Sequence, residues 1–101
     1  MSIKIWVDDV RPQPEDYSRV LSTNDCISLI KFLRSQGAEI ALLDLDHDAG
    51  DFAYDGGDYI HILDWLEAEG IDIPIRIHSM NPVGCQNMRA IIQKNGWMEV
   101  K

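Results

Sequence analysis

The sequence predicts an α/β fold of the flavodoxin-like or receiver-like kind, a three-layer sandwich around a five-stranded, mainly parallel sheet with strand order 2-1-3-4-5. Short β-branched and apolar runs alternate with helical segments of about a dozen residues, and this alternation is typical of parallel β-α-β units. The run at residues 40–45 is almost continuously apolar, as expected of a strand covered on both faces. With 101 residues, the chain is predicted to form a single receiver-like domain over residues 1–101.

The composition is acidic and otherwise ordinary for a globular protein. The formal net charge is −8, and 46% of the residues are hydrophobic. This charge argues against extended DNA or other long nucleic-acid strands as general partners, because phosphate backbones are themselves anionic. No apolar run reaches the roughly 18 residues that a membrane span needs, so no membrane association is expected.

The protein is expected to be cytoplasmic. The apolar run at the N-terminus is short, and Asp8 and Asp9 follow it at once, which is not the layout of a signal peptide. Cys26 and Cys85 lie in predicted helices and match no metal-ligand spacing. Both thiols are therefore predicted to be reduced and partly buried, as in cytosolic proteins.

The chain begins with a predicted strand, a loop and a second strand. Residues 3–7 are β-branched and aromatic, and the acidic pair at residues 8–9 ends this run. Two prolines within residues 11–14 exclude a helix interior. A proline-containing loop therefore replaces the first helix of the fold, and residues 18–21 form a short second strand.

A helix and a buried strand follow. The Ser-Thr pair at residues 22–23 can cap the first turn, where Asp25 suits the positive end of the helix dipole. Gly37 is the expected left-handed stop. Residues 40–45 form the third strand, and residues 46–57 form an acidic loop that contains several glycines.

The next segment predicts a second helix and a fourth strand. Asp58 is expected to cap this helix, and Gly70 is expected to end it. Residues 73–78 form the fourth strand. Pro74 lies near the start of that strand, where a missing N–H group is tolerated.

The last segment predicts a third helix and a short final strand. Asn81 can cap the helix, and Pro82 suits its first position because proline has no N–H to leave unpaired. Gly96 is expected to end the helix. Residues 97–100 then form the fifth strand.

Polar clusters lie at the C-terminal ends of three predicted strands. Residues 8–9 follow the first strand, residues 44–48 end the third, and residues 78–79 end the fourth. Parallel α/β sheets bind their ligands in the crevice beyond these strand ends, so we expect the three clusters to meet there. Asp44 and Asp46 touch an apolar run, and burying them is costly unless they have partners.

Asp8, Asp9 and Asp46 are candidate ligands of a divalent cation. Three carboxylates supply the hard oxygen atoms that Mg²⁺ or Mn²⁺ prefers. Adjacent residues of a strand point to opposite sides, so one residue of the Asp8–Asp9 pair is expected to face the crevice. The other would cap the turn or pair locally, for example Asp9 with Arg11.

His47, His78 and Asp46 are candidate catalytic residues. A histidine donates or accepts a proton near neutral pH, and a neighbouring carboxylate can orient it. One histidine would activate water or a hydroxyl, and the other would protonate the leaving oxygen of a phosphodiester. The alternative for His47 is a hydrogen bond to a backbone carbonyl that only shapes the loop.

Arg11, Ser79, Asn81 and Asp48 are candidate substrate-binding residues. Guanidinium and hydroxyl groups bind phosphate oxygens, and the start of a helix also favours an anion. Two structural alternatives stay open. Arg11 can pair with a nearby carboxylate, and Asn81 can serve as a helix cap.

Other features are predicted to be structural. His61 is expected at the surface or in packing, and Trp6, Trp65 and Trp97 are expected to pack in the core. Residues 44–55 approach the opening of an EF-hand loop, but the glycine is one residue late and the twelfth position is not Glu. The preceding segment also predicts a strand instead of a helix, so a calcium loop is excluded.

The polar clusters resemble the site of a receiver domain of two-component signalling. Receivers have an acidic pair after the first strand, an aspartate ending the third and Ser or Thr ending the fourth. Here residues 8–9, Asp44 or Asp46, and Ser79 take these places. The lysine that receivers carry after the fifth strand is missing from residues 97–100.

The sequence more closely resembles the cyclic-phosphate processing receiver domains. Their motifs W-x-D-D-x-R-P, L-D-H-D and H-S-x-N-P-x-G match residues 6–12, 45–48 and 78–84, in order. The resemblance implies a receiver-like fold. It also implies a role in acting on, or sensing, cyclic phosphates on RNA ends or nucleotides.

The leading hypothesis is a phosphoesterase, a phosphoric ester hydrolase that opens a cyclic phosphate on a nucleotide or an RNA end. Its partner would be a small phosphate-containing ligand, with the paired histidines and the aspartate cluster at the strand ends. The alternatives are a non-catalytic sensing module for the same ligand and a degenerate phospho-acceptor receiver that uses Asp44 or Asp46. An adaptor with a degenerate site is a further alternative, so enzymatic activity stays open at this point.

Overall fold

Four parallel strands form one sheet in the order β2-β1-β3-β4. A computed structural model of the chain describes residues 2–101. The strands are Ser2–Val7 (β1), Tyr17–Val20 (β2), Glu39–Leu45 (β3) and Ile75–Ile77 (β4), the helices are Thr23–Ser35 (α1), Ile60–Glu69 (α2) and Pro82–Asn95 (α3), and a 3₁₀ turn covers Gly50–Phe52. The predicted α/β class, the parallel sheet and the order of the first four strands are confirmed.

The predicted fifth strand is wrong. Residues 97–100 join the sheet through one parallel bridge, between Ile75 and Glu99. The Ile75 N–H donates to the Met98 carbonyl at 3.0 Å, and the Val100 N–H donates to the Ile75 carbonyl at 2.7 Å. The segment therefore lies beside β4, where a fifth strand was expected. Because β4 has only three residues, it offers too short an edge for more ladder bonds.

All three helices pack on one face of the sheet, so the predicted three-layer sandwich is also wrong. Alternate strand residues face a single buried cluster, to which every helix contributes. The strand members are Ile5, Val7, Leu43, Leu45 and Ile75, and the helix members include Cys26, Ile30 and Leu33 from α1, Ile62, Leu63 and Leu66 from α2, and Met88 and Ile92 from α3. The architecture is a two-layer α/β fold.

The other face of the sheet carries polar and aromatic side chains. The strand register pairs Trp6 with Arg19 on one side and with Asp44 on the other, and Asp44 with Arg76. Side chains alternate along a strand, so this row points away from the helices. No helix within residues 2–101 covers it.

The handedness of parallel connections explains the one-sided packing. From β2 to β3, from β3 to β4 and onward, the chain always crosses the sheet in the same direction. Right-handed crossovers then place α1, α2 and α3 on the same face. The connection from β1 to β2 runs in the opposite direction and would place its helix on the other face. Residues 8–16 form a loop instead, which confirms the predicted replacement of the first helix.

Most helix ends follow the sequence prediction. The Ser22 hydroxyl oxygen accepts the Asp25 N–H at 3.1 Å and caps α1. The Asn81 side chain accepts the Gly84 N–H at 2.9 Å and caps α3. The glycines that follow α2 and α3 adopt the left-handed conformation, which needs no Cβ, and end these helices as predicted.

The predicted cap of α2 is wrong. Asp58 does not cap this helix, because its Oδ1 accepts the Ala49 N–H at 3.0 Å. The residue that precedes the helix is Tyr59, which has helical dihedral angles and no capping bond from its side chain. Asp58 therefore forms a bond within the acidic loop. A sequence pattern does not distinguish this bond from a helix cap.

The predicted structural residues outside the polar clusters are placed as expected. Cys26 and Cys85 are buried and form no disulfide. Burial raises the pKa of the Cys26 thiol, because apolar surroundings disfavour the thiolate. His61 is exposed and bonds to Asp64 at 3.1 Å. Among the helices of residues 2–101, none has the length and apolar character needed to cross a membrane.

Candidate functional site

Asp8 forms the turn that follows β1. Its side chain is inaccessible to solvent. Oδ1 accepts the backbone N–H groups of Val10 and Arg11, each at 2.9 Å. Oδ2 accepts from Nη1 of Arg11 at 3.0 Å and from Nε2 of His78 at 2.9 Å. An ionised carboxylate has about four lone-pair positions, so the hydrogen-bonding capacity of Asp8 is filled.

The pKa of Asp8 is lowered although the side chain is buried. Burial alone would raise this pKa, because it penalises the charged form. The backbone N–H groups of Arg11 and Val10, and the side chains of Arg11 and His78, stabilise the carboxylate and outweigh that cost. Asp8 is therefore an ionised anion at neutral pH.

Arg11 joins Asp8 to Asp46. Its Nη1 lies 3.0 Å from an oxygen of each carboxylate. The hydrogen bond to Asp8 and the charge of Asp46 raise the pKa of Arg11 despite the cost of burial. The expected alternative pairing of Arg11 with Asp9 is replaced by these two contacts. The Arg11 side chain is 40% exposed, so its remaining N–H groups can still reach a phosphate oxygen.

The cluster of Asp8, Asp9 and Asp46 fits a divalent cation only in part. One oxygen of each carboxylate lies within 4.8 Å of the others, as a shared ligand would require. Asp8 has no free lone pair, and Arg11 already supplies positive charge between Asp8 and Asp46. Asp9 and the remaining lone pairs of Asp46 are the groups left to hold Mg²⁺ or Mn²⁺, which would add positive charge beside Arg11.

His78 links two buried carboxylates. Its Nδ1 lies 2.7 Å from Oδ1 of Asp44, while its Nε2 binds Asp8. The second oxygen of Asp44 accepts from the Tyr17 hydroxyl at 3.1 Å and from Arg76 at 3.2 Å. His78 thus joins the end of β1 to β3, and both nitrogens of its ring are occupied.

Trp6 lies flat on the His78 ring. The two ring centroids are 3.8 Å apart and the planes differ by 2°. The Trp6 indole N–H donates to the Arg11 carbonyl at 3.0 Å, which ties the stack to the loop after β1. Trp6 is a packing residue, as predicted, but it packs on the polar face of the sheet. Trp65 and Trp97 pack against the apolar cluster.

Asp46, which follows β3, lies with the crevice residues, whereas Asp44, within β3, does not. Asp44 is inaccessible to solvent, and its oxygens bond to three side chains across the sheet. A phospho-acceptor must present an oxygen to its ligand, which Asp44 does not do. Asp46 accepts the His47 N–H at 2.7 Å through Oδ1 and Arg11 through Oδ2.

His47 belongs to a second polar group at the start of α3. Its Nδ1 lies 2.7 Å from Oδ1 of Asp48, and the Asn81 amide donates to the same oxygen at 3.3 Å. The bond to His47, assisted by Asn81, lowers the pKa of Asp48. The His47 side chain is 14% exposed, and within residues 2–101 its Nε2 has no partner and is not buried. Nε2 is therefore the nitrogen of this ring that a ligand can reach.

Gly84 supports the His47 ring from the first turn of α3. A Cβ at this position would lie 2.5 Å from Cγ and 2.7 Å from Cδ2 of His47, closer than atoms can pack. The His47 carbonyl also accepts the Tyr59 N–H at 2.9 Å. Backbone and ring are therefore both held, and only glycine lets the helix approach the ring this closely.

Ser79 has a local role in the structure. Its hydroxyl oxygen accepts the Asn81 N–H at 3.1 Å, which shapes the turn before α3. The oxygen keeps a second lone pair and its own hydrogen, so binding of a phosphate oxygen stays a prediction. Asn81 combines both of its predicted roles, because its oxygen caps the helix and its amide contacts Asp48.

One family profile matches almost the whole chain. The profile describes the cyclic-phosphate processing receiver domain, and it matches residues 3–94, from β1 to the last turn of α3. The chain belongs to this family. Comparisons with curated proteins and with solved structures found no match.

The motifs that resemble this cyclic-phosphate processing receiver family account for most of the site. Residues 6–12 contain Trp6, which stacks on His78, Asp8, whose hydrogen-bonding capacity is filled, and Arg11, which lies between two carboxylates. Residues 45–48 contain Asp46 and the hydrogen-bonded pair of His47 and Asp48. Residues 78–84 contain His78, the helix cap Asn81 and Gly84, which contacts the His47 ring. The three motifs are thus brought to one edge of the sheet.

Asp44 and two of its partners lie outside these motifs. Tyr17 and Arg76 both bond to Asp44, and sequence reasoning missed them. The only signal was an arginine within the apolar run of β4. Its partner became evident only from the strand register, which places Arg76 opposite Asp44.

Proposed function

We propose that this domain hydrolyses a cyclic phosphate, carried by a nucleotide or by an RNA end, at the C-terminal edge of its sheet. The observation that carries the proposal is the pair of Asp48 and His47. The carboxylate holds Nδ1 at 2.7 Å and leaves Nε2 accessible, which is the arrangement of a general base. Membership in a family named for cyclic-phosphate processing supports the choice of substrate.

The proposed reaction needs one proton acceptor and one group that stabilises charge. Nε2 of His47 takes the proton of an attacking water while the new P–O bond forms. The bond from phosphorus to one ribose oxygen breaks, and that oxygen receives a proton, which the imidazolium of His47 can return. Arg11 offers its free N–H groups to the phosphate oxygens, where negative charge develops in the transition state.

His78 has different surroundings from His47 and takes a different part in this proposal. Both of its nitrogens are bonded to the buried carboxylates of Asp8 and Asp44. To protonate a leaving oxygen, as the paired-histidine hypothesis requires, it would have to release one of them. We assign His78 the task of holding these two aspartates in place.

The test compares three histidine variants on cyclic nucleotides and on oligonucleotides with a cyclic-phosphate end, with and without Mg²⁺ or Mn²⁺. His47→Gln is expected to lower turnover about 10²- to 10⁴-fold, as for loss of a general base. His61→Gln is the matched control, because His61 is exposed and lies on α2 outside the site, and it should leave turnover unchanged. Absence of turnover on every substrate rejects hydrolysis, and full activity of His47→Gln rejects His47 as the general base.

The His78 variant separates the two accounts of this residue. His78→Gln is expected to lower the free energy of unfolding. Turnover per folded molecule is expected to fall much less than in His47→Gln. Loss of turnover as large as that of His47→Gln, in protein with unchanged unfolding, would instead support the paired histidines. Thermal unfolding and turnover are measured on the same samples.

A sensing module is the second candidate, because the cation that would bind phosphate is in place without any proton transfer. Arg11 is fixed by two carboxylates and half exposed. Saturable binding of a cyclic nucleotide, with no product formed and with loss of binding in Arg11→Ala, would select this candidate over hydrolysis.

A further inference from the structure

No helix of residues 2–101 covers the face of the sheet opposite α1, α2 and α3. We call it the open face, and its side chains are Lys4, Trp6, Tyr17, Arg19, Leu42, Asp44 and Arg76, which share one side of the strands by register and contact. Sheets that are entirely parallel are usually covered on both faces. The loop after β1 reaches this side, where the Trp6 indole N–H donates to the Arg11 carbonyl.

The open face is basic on a chain whose net charge is −8. It holds three cationic side chains, Lys4, Arg19 and Arg76. Its carboxylate at the centre, Asp44, is fully buried and already bonded. The remaining surface charge of this face is therefore positive, in contrast to the chain as a whole.

Two of the three cations of the open face, Lys4 and Arg19, form no salt bridge with a carboxylate of residues 2–101. Lys4 lies over the Tyr17 ring, with its Nζ 4.6 Å from the centroid, and forms no salt bridge among the described residues 2–101. Arg19 donates to the Asp8 carbonyl at 3.3 Å, so its charge is not neutralised. The Arg76 side chain bonds to Asp44 and remains 43% exposed.

The open face leads directly to the crevice. Arg19 contacts the backbone of Asp8, whose carboxylate binds Arg11. From Asp8 back to Lys4, β1 covers four residues, or about 13 Å at the usual rise per residue. A mononucleotide held at the edge would not reach Lys4, whereas a chain of several nucleotides would.

We infer that the open face binds the phosphodiester strand of a short single-stranded RNA whose cyclic-phosphate end lies in the crevice. This inference rests on the proposed function and narrows its substrate from a nucleotide to an RNA end. Cations that are spread over three strands suit the phosphates of an RNA strand.

Other occupants fit this face less well. A second copy of the chain would set its cations against identical cations. An amphipathic helix of a protein needs a continuous apolar stripe, but the apolar residues of the open face, Trp6 and Leu42, lie among charged side chains. Met98 and Val100, which are exposed apolar residues, lie beside β4 through backbone bonds to Ile75.

The acidic loop does not place its negative charge beside an RNA strand on the open face. Asp55, within that loop, accepts from the Ser22 hydroxyl at 2.6 Å and from the Asn24 amide at 3.1 Å. Both partners belong to the start of α1, which packs on the opposite side of the sheet. The loop is therefore anchored on the helix side, away from Lys4 and Arg76.

The experiment measures binding of fluorescently labelled RNA to His47→Gln protein, so that the cyclic end is not consumed. A mononucleotide and a tetranucleotide with the same cyclic-phosphate end are compared. The tetranucleotide is expected to bind at least tenfold more tightly. Lys4→Ala should weaken its binding about three- to fivefold and reduce the slope of log affinity against log salt by about 0.7, with no effect on the mononucleotide.

The controls separate charge on this face from charge elsewhere. Lys94→Ala removes an exposed lysine of α3 on the helix side and should leave the affinity for both ligands unchanged. Arg76→Gln keeps a donor for Asp44 and should weaken binding of the tetranucleotide as Lys4→Ala does. If Arg76→Gln fails to fold, the Lys4 comparison still decides.

Each outcome bears on one proposal. Equal affinity for the two ligands, or a tetranucleotide insensitive to Lys4→Ala, overturns the strand site and leaves the proposed function standing. Lys4-dependent binding of a tetranucleotide that ends in a plain hydroxyl, as tight as that of the cyclic form, keeps the strand site and counts against the proposed function. Tighter Lys4-dependent binding of an acidic helical peptide than of RNA assigns the face to a protein and overturns the inference.

Discussion

Carboxylates and basic side chains alternate around His78. The carboxylates of Asp8, Asp44 and Asp46 come from the ends of two strands, and Arg11, Arg76 and the His78 ring lie between them. Buried charges of this kind are tolerated only when they are paired and hydrogen-bonded, so each member depends on the others.

The first prediction concerns the contact of Gly84 with His47. Gly84→Ala places a methyl group on the ring and forces it to move, because the Cβ would lie 2.5 Å from Cγ. Alanine is the better helix residue by up to about 1 kcal/mol, so the helix itself is not weakened. Turnover or ligand binding should fall clearly, while the free energy of unfolding changes by less than about 2 kcal/mol. Full activity with an unmoved His47 resonance in NMR spectra would contradict the contact.

The second prediction concerns the acid stability that Asp8 supplies. Its pKa in the folded protein lies below the ordinary value of 3.8, so its contribution is present above pH 3.8 and is lost as the pH falls through the lower folded value. Asp8→Asn should lose about 3–5 kcal/mol at neutral pH, since Arg11 and His78 lose a buried partner. Its stability should also fall less steeply than that of the wild type below pH 3.8.

Urea unfolding at a series of pH values measures the effect of Asp8→Asn. Asp51→Asn is the control, because Asp51 is exposed and lies outside these contacts. It should follow the wild-type curve to within about 0.5 kcal/mol. A wild-type stability that does not decline below pH 3.8 would show that Asp8 does not act in this way.

At the scale of elements, the start of α3 serves both the fold and the site. Asn81 accepts the Gly84 N–H as the helix cap and donates to Asp48, which orients His47. The two functions use different atoms of one side chain. Capping was predictable from the Asn-Pro sequence, but the contact with Asp48 depends on how the helix meets the loop after β3.

The third prediction separates these two functions of Asn81. Asn81→Ala should lower the free energy of unfolding by about 1 kcal/mol, the usual effect of losing a cap. Asn81→Asp should keep the cap but lose the amide donor and repel Asp48, so that activity falls at nearly wild-type stability. Calorimetry and turnover on both variants provide the measurement. If the two variants lose stability equally, the side chain does not act as a cap.

At the scale of the whole molecule, one apolar layer between the sheet and the helices supplies the stabilising core. The largest inaccessible side chains include Ile62, Leu63 and Leu66 of α2, which lies between α1 and α3. The open face contributes hydrogen bonds and ion pairs in place of a second apolar layer. Stability should therefore depend on α2 more than on any other helix.

The fourth prediction tests the buried packing of α2 with two large-to-small substitutions. Leu66→Ala removes an inaccessible side chain and should cost about 2–5 kcal/mol. For a domain of this size, each kcal/mol corresponds to a fall of about 4–8 °C in Tm. Phe32→Ala is the control, because Phe32 on α1 is 60% exposed. A shift for Phe32→Ala as large as that for Leu66→Ala would contradict the one-sided core.

The sequence by itself determined the local structure and the chemistry. The alternation of apolar runs, the prolines of residues 11–14 and the caps at Ser22 and Asn81 depend on near neighbours along the chain, so they could be predicted. The same holds for the three family motifs, which named most of the residues that meet at the crevice.

Only the tertiary structure decided the rest, because it depends on pairings between distant segments. The direction of each crossover put every helix on one face, and the shortness of β4 reduced the fifth strand to one bridge. Strand register brought Arg76 to Asp44 and placed His78 between Asp44 and Asp8. Two aspartates that are equivalent by spacing, Asp44 and Asp46, thereby became a buried structural anion and a residue of the crevice.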